Sequence, residues 1–431
     1  MKVSRFILIA ALILGFAASG CIRKLDISPT PEIRNPVVDV ASDPSLPLRA
    51  GFAKEVITPE MRVWMAGYDF LRRSKGVHDD LTARALVFIQ GGEKMAMVSL
   101  DLVGMNRYDI EEIKAGVPGF RPDQILIACT HVHAGPDTMG LWGLPPLYSG
   151  RNKKYMEKTA AAIVRAIGRA EAAAVPVSVW SAVYQMDSSL MYNMNEGEPK
   201  DDTMGLMVFK DDSGDVVATL VNLTGHPEVL KKNNRQISAD FPGVLYRKIE
   251  KKYGGGSLLF NGACGSLITP RVDLTQEPDF EDVEQFGIKV AAEVDKGMGL
   301  LVREDRPSIV HKMSLILVPV ENKIYTVLLQ FRMFDRDAYE GPALMTEVNV
   351  IEIGSAQFVT FPGEAYPKQG ISIRERQKPN SFQIALANDE LGYILYPDDY
   401  HSELYAYEAG LCPGPDLAVE IENALLELLE K

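Results

Sequence analysis

Cysteine and histidine are both scarce in this chain of 431 residues, which has four Cys and six His. With Cys21 set aside at the leader boundary, Cys129, Cys264 and Cys412 remain, an odd number that allows at most one disulfide. A cystine-stapled scaffold is therefore excluded, and no two of these residues sit at zinc-binding Cys spacing. They read as small core residues. Positive charge is in deficit, with 45 Lys and Arg against 58 Asp and Glu and a formal net charge of -13. That balance argues against nucleic acid as a partner and against charge-driven binding to anionic lipid. The apolar run from Phe6 to Ala17 is too short to span a bilayer. Regular strand–helix alternation is also missing, which speaks against a TIM barrel.

What is present describes an exported globular protein. With 46% hydrophobic and 24% charged residues, a sizeable core is available. Lys2 and Arg5, the Phe6–Ala17 run and then Ala18-Ser19-Gly20-Cys21 form a secretory leader. Small residues directly before Cys resemble a bacterial lipoprotein box, so cleavage is expected after residue 20, with Cys21 lipidated and the protein membrane-anchored outside the cytoplasm. Residues 21–47 carry five prolines among polar residues and read as an extended tether. The folded domain is expected over 48–431, without a second linker, internal repeat or low-complexity tract. Its fold class is α/β, a single large domain with a mixed β-sheet and flanking helices. Ala83 to Ile89 and Met95 to Leu100 predict a hairpin around Gly91-Gly92, and Asp101 after it reads as a site carboxylate or a helix cap. Lys153 to Ala173 predicts an amphipathic helix. Strands are expected at 309–317, 325–334, 348–353, 357–361 and 383–387, with a closing helix at 417–429.

The chemistry gathers where apolar strands end in polar residues. Ile125 to Cys129 runs into Thr130-His131-Val132-His133-Ala134-Gly135-Pro136, where Gly-Pro stops regular structure. Alternation along a strand end would point His131 and His133 at one volume, a metal or acid–base geometry. Leu220 to Leu223 leads to His226-Pro227; Phe361-Pro362-Gly363-Glu364 exposes a carboxylate; Leu386 to Gly392 leads to Tyr393; and Leu259 to Pro270 opens into a loop with Ser266 and Thr269. Each block alone is weak. Together they supply His, His, Glu and a phenol, a reasonable donor set for Zn²⁺ with room for water or substrate. His78, His311 and His401 lie in charged or solvent-like sequence and read as non-ligands. The Gly135–Gly150 loop, with Trp142, Leu144, Pro145, Pro146, Leu147 and Tyr148, either lines an apolar pocket or packs on the domain.

In order, Thr-His-x-His-x-Gly-Pro, His-Pro, the Gly-rich hydroxyl loop, Pro-Gly-Glu and Asn followed by Gly-Tyr resemble the neutral, non-lysosomal ceramidase family. The match runs from about Gly51, through Ile57-Thr58-Pro59 and Met65-Ala66-Gly67-Tyr68, to about Glu408. The resemblance implies a zinc amidase cleaving N-acyl, ceramide-like lipids. It places the metal ligands on His131, His226, Glu364 and Tyr393 and sets His133 beside the substrate amide. At the nucleophile the chain departs from the pattern. The family reads Gly-Asp-x-Ser-Pro, whereas this chain reads Gly265-Ser266-Leu267-Ile268-Thr269-Pro270. Thr269, Ser266 or a water on the zinc is then the attacking group. Met191 to Met194 stands where the long members carry an arginine, and the chain ends soon after the Tyr393 block, without their immunoglobulin-like domain. Two other readings fit: a ligand-binding lipoprotein that kept the fold without turnover, and a metal-dependent amidohydrolase with a non-lipid substrate.

Overall fold

The computed structural model describes residues 27–28, 35–144, 148–273, 275–330, 338–339 and 343–430. The expected leader and Cys21 lie outside the described residues.

The fold class is α/β, as expected, but the strands form three large sheets instead of one. In the first, Ile125–Cys129 lies parallel to Glu93–Leu100, which is followed across the sheet by the antiparallel strands Thr82–Gln90, Arg49–Val56 and Val175–Pro176. The second repeats this arrangement. Gly256–Asn261 lies parallel to Val216–Leu223, followed by the antiparallel Thr203–Lys210, Ser178–Gln185 and Val302–Arg303. The third is built on the long antiparallel pair Ile309–Pro319 and Ala343–Ile353, extended by Ala356–Thr360 and by Ser381–Ile384, the last strand parallel to its neighbour. Val38–Ala41 pairs with Ile309–Pro319 on the other side. The end of the expected tether is thus a sheet strand, and folded structure starts upstream of Leu48.

Side-chain alternation explains why three sheets share one core. Leu86 and Phe88 of the first sheet, Met207, Phe209, Leu220, Leu258 and Phe260 of the second, and Ile351, Ile353, Phe358, Phe382 and Ile384 of the third meet in one buried cluster. The Phe88 and Phe209 rings are 5.1 Å apart, and those of Phe358 and Phe382 are 4.6 Å apart. Each such side chain stabilises the fold by about 1.5–3 kcal/mol relative to exposure. Intervening residues such as Ala85 and Val87 face a second core covered by helices. Lys153–Ala172 packs Ala162, Ile163, Ala166, Ile167 and Ala170 inward, and its N-terminus is capped by Asn152, whose side chain accepts from the Tyr155 N–H. Leu417–Glu430 lays Leu417, Ile421, Leu425 and Leu428 on the third sheet at helical spacing.

Two further expectations are corrected. The strand expected from Tyr325 is the helix Lys323–Gln330. A short apolar run reads equally as buried strand or buried helix; here the Asn322 side chain decides, accepting from the N–H groups of Ile324 and Tyr325 at the helix start. Asp101 caps no helix, since Arg107–Ala115 starts after Asn106. Its carboxylate accepts from Thr82 N–H and hydroxyl and from Tyr246, fastening the two hairpin strands to a neighbouring helix.

Candidate metal centre

One donor comes from the end of a strand in each sheet. The strand Ile125–Cys129 stops at Cys129, and the chain turns so that His131 takes a left-handed backbone, φ 71°. Among non-glycine residues such a φ is uncommon and costs free energy. This turn, rather than continued strand alternation, aims the His131 ring. Its backbone N–H is held by Leu102 O, and Nδ1 lies 2.6 Å from Val103 O. His226 follows Val216–Leu223 and is held in the same manner, with Nδ1 2.8 Å from Ile268 O. A carbonyl on each Nδ1 favours the N–H on that nitrogen and turns Nε2 toward Glu364, the orientation usual for metal-binding imidazoles. Glu364 follows the third-sheet strand Ala356–Thr360 and lies between the two rings. Its carboxylate oxygens are 3.5 Å from His131 Nε2 and 3.3 Å from His226 Nε2.

Tyr393 is brought beside Glu364 by backbone pairing. Glu364-Ala365 and Tyr393-Ile394 form a two-residue parallel bridge with Glu364 opposite Tyr393. Burial raises the Tyr393 phenol far above its ordinary range, and the Glu364 charge adds to this. Buried asparagines fasten the loops. Asn261 donates to Thr130 O and Gly225 O and accepts from Gly225 N–H, gripping the residues just before both histidines. Asn222 ties the second sheet to Gln383, and Asn388 ties the third to Ile127.

Donor atoms of His131, His133 and His226 lie within 4.8 Å of one another, as do those of His226, Cys264 and Glu364. These groups could hold a divalent ion, and two imidazoles, a carboxylate and a phenol suit zinc. Burial pushes His131 down to about 3, so its ring is neutral, as coordination requires. Burial also disfavours charge on His226, but the hydrogen bond and charge of Glu364 outweigh it and raise that ring. Cys264 is the core residue expected, with its thiol pushed well up by burial, yet its sulfur lies beside His226 and Glu364.

His133 lies beside that pair but is held by other contacts. Its N–H donates to Pro227 O, and its carbonyl accepts from the buried Arg72 guanidinium, which also donates to Ala66 O. Tyr68 meets the His133 ring edge-on at 5.0 Å. Gly67, φ 96°, is required here, because a Cβ would stand 2.4 Å from the ring. Burial lowers His133 to about 4, opposed by Glu228. Its Nδ1 is 3.4 Å from Glu228 Oε2 but out of hydrogen-bond alignment, so neither ring nitrogen has a protein hydrogen bond among the described residues.

Both candidate hydroxyls are buried and engaged. Ser266, φ 65°, donates to Asn193 Oδ1 and accepts from Asn195 Nδ2. Thr269 donates to Glu228 Oε1 and accepts from Lys231 Nζ at 2.6 Å. Of the other histidines, His78 stacks on Phe280, and His311 is buried on a third-sheet strand, bonded to Asn349 instead of facing solvent. Neither joins the cluster. In the Gly135–Gly150 loop, Trp142 packs partly and bonds Tyr68 O, while Leu144 and Tyr148 are exposed; Pro145, Pro146 and Leu147 lie outside the described residues. Sequence reasoning missed Glu228, Lys231 and Arg72. The available signal was a carboxylate two residues after His226, directly before the apolar pair Val229-Leu230. A groove of about 330 Å³ lies elsewhere, lined by Ile57, Met61, Tyr155 and Arg165 among others, and holds none of these groups.

No protein-family profile and no curated protein matches the chain. Among solved structures it is similar to a neutral ceramidase from Pseudomonas aeruginosa, at TM-score 0.72 and 18% identity, over 89% of this chain and 75% of that one. A ceramidase complexed with C2 matches at TM-score 0.73 and 17% identity over the same shares. The chain therefore has the fold of bacterial neutral ceramidase, as the order of its sequence blocks implied.

Proposed function

We propose that the protein is a zinc-dependent amidase of the neutral ceramidase type, cleaving the amide of an N-acyl, ceramide-like lipid outside the cytoplasm. The observation that carries this reading is the convergence of His131, His226 and Glu364, with Tyr393 paired opposite Glu364, on a ceramidase fold. When bound there, zinc would supply Lewis acidity to polarise the amide carbonyl and stabilise the charge developing on its oxygen. His133, with no hydrogen bond on either ring nitrogen among the described residues, is the group free to take a proton from the attacking water and return it to the leaving amine. Water is favoured over Thr269 and Ser266 because both hydroxyls are buried and already bonded on two sides. An apolar substrate is supported by the exposed Leu71, Leu144, Tyr148 and Met194. Leu71 is bonded to Trp142, which holds Tyr68, and Met194 to Leu267 of the hydroxyl loop. No helix among the described residues is long and apolar enough to cross a membrane. A lipidated Cys21 would anchor the protein instead.

Metal analysis of the purified protein, combined with hydrolysis of a fluorogenic N-acyl amide, tests this. About one zinc per chain is expected, with amide cleavage lost on chelation and restored by zinc. Undiminished cleavage without zinc would sink the mechanism. Bound zinc with no cleavage of any amide or ester would mark a binding protein on this fold.

A further inference from the structure

Glu228 is a buried carboxylate that meets four side chains from separate parts of the chain. The Tyr68 hydroxyl donates to Oε2 and the Thr269 hydroxyl to Oε1. Lys231 Nζ donates to Oε1 at 3.3 Å and also to Thr269 Oγ1, closing a triangle. An ionised carboxylate has roughly four acceptor sites; three are occupied by these donors. The remaining approach is to His133, whose Nδ1 stands 3.4 Å from Oε2. The His133 backbone is fixed by Pro227 and Arg72, yet neither ring nitrogen has a hydrogen bond among the described residues. Lys231 also balances the buried negative charge, so this carboxylate can stay ionised inside the protein.

We propose that Glu228 is the positioning residue of His133, and that Tyr68, Thr269 and Lys231 form the clamp that holds Glu228 in place. A carboxylate on Nδ1 makes that nitrogen the N–H and leaves Nε2 as the lone pair presented to substrate. The 3.4 Å separation is of the kind that tightens when substrate binds. In this arrangement Thr269 serves the carboxylate and does not attack the amide. The inference rests on the reading of His133 as the proton-handling group.

Isosteric variants test it in the zinc-loaded protein. Glu228→Gln should lower kcat by about 10²–10⁴-fold, the scale seen when a histidine loses the carboxylate that sets its tautomer, with KM and zinc content little changed. Thr269→Val should lower kcat by only about 5–30-fold, and Thr269→Ser should restore most of it. The double variant should be no slower than Glu228→Gln alone, because Thr269 acts through Glu228. Nitrogen-15 spectroscopy of the His133 ring gives a readout independent of turnover. The wild type should hold Nδ1–H, and Glu228→Gln should shift that tautomer balance. An unchanged tautomer in Glu228→Gln would overturn the proposal. So would loss of all activity in Thr269→Val together with an acyl adduct on Thr269 in the quenched wild type. A wild type without turnover, whose His133 tautomer still responds to Glu228→Gln, would overturn the functional reading and leave this inference supported.

Discussion

The cluster around Glu347 and the cluster around Glu364 each bury a carboxylate completely, and they complete its surroundings in opposite ways. Glu347 lies on a third-sheet strand and is met by the Arg107 guanidinium, by Lys114 Nζ at 3.4 Å and by Asn388 Nδ2 at 2.6 Å. Burial would raise its carboxyl, but these cations and hydrogen bonds pull it down to about 2. Every charge there has an opposite charge from the protein itself. Among the described residues no Lys or Arg meets Glu364; its neighbours are two imidazoles, His131 and the hydrogen-bonded His226, with a thiol close by. Buried donors left converging on one point make a site, whereas buried donors answered in full make a joint. The first arrangement stabilises the fold by itself, and the second could hold a divalent cation.

The sharpest way to break this contrast is to remove a donor from each cluster. His131→Ala or His226→Ala should abolish zinc binding and lower kcat/KM by about 10³-fold or more, near 4 kcal/mol. Thermal stability without metal should barely move. Metal analysis and melting curves check both halves, and zinc retained in both variants would remove these residues from the ligand set. Glu347→Ala should do the reverse. Leaving Lys114 and Arg107 buried without their carboxylate should cost about 3–5 kcal/mol in urea unfolding, with zinc affinity of the folded protein kept.

Acid sharpens the same comparison. The folded-state pKa of Glu347 is below its unfolded value, so its contribution is fully present above the unfolded carboxylate range. It is lost as pH falls from about 4.5 toward about 2. Wild-type stability should therefore fall through that window more steeply than that of Glu347→Gln. Equal slopes would show that the carboxylate is not held by its cations. A smaller effect is expected at the seam between the strand ends. Asn261→Ala should cost about 1–3 kcal/mol, through buried groups left unpaired, and should weaken zinc binding by loosening Thr130 and Gly225 together. The smallest belongs to Ser266→Ala, about 1 kcal/mol with kcat changed by less than tenfold, measured in the same assays. A large loss of turnover there would return Ser266 to candidacy as the nucleophile.

Much of the site is legible in the chain because its signals are local. Ile125–Cys129, Val216–Leu223 and Ala356–Thr360 are largely apolar runs with Gly or Pro close behind them, each followed within a few residues by a side chain that can bind protons or metals. Glu228 was not legible, since a carboxylate after Pro227 looks like a solvated turn until Tyr68, Thr269 and Lys231 are seen to surround it. The helix at Lys323–Gln330 was misread because its apolar run carries no period long enough to separate helix from strand. Val38–Ala41 was misread because prolines around it suggested a tether, while its pairing partner lies far along the chain at Val310–Met313.

By itself the sequence determined where the strands leading to the cluster form, where they stop, and which chemically active residues stand at their ends. Those outcomes depend on apolar periodicity and on the φ limits of Gly and Pro, which act over a few residues. Only the tertiary structure decided that three such ends, one from each sheet, share a volume a few ångströms across. His226 and Glu364 are 138 residues apart and 3.3 Å from contact atom to contact atom. That distance is set by the buried faces on which the three sheets meet, and by the asparagines that lock their edges. Packing among remote segments assigns partners, and so it gave different contacts to His131 and His133, which are neighbours in the chain. One ring joins His226 and Glu364, and the other faces Glu228.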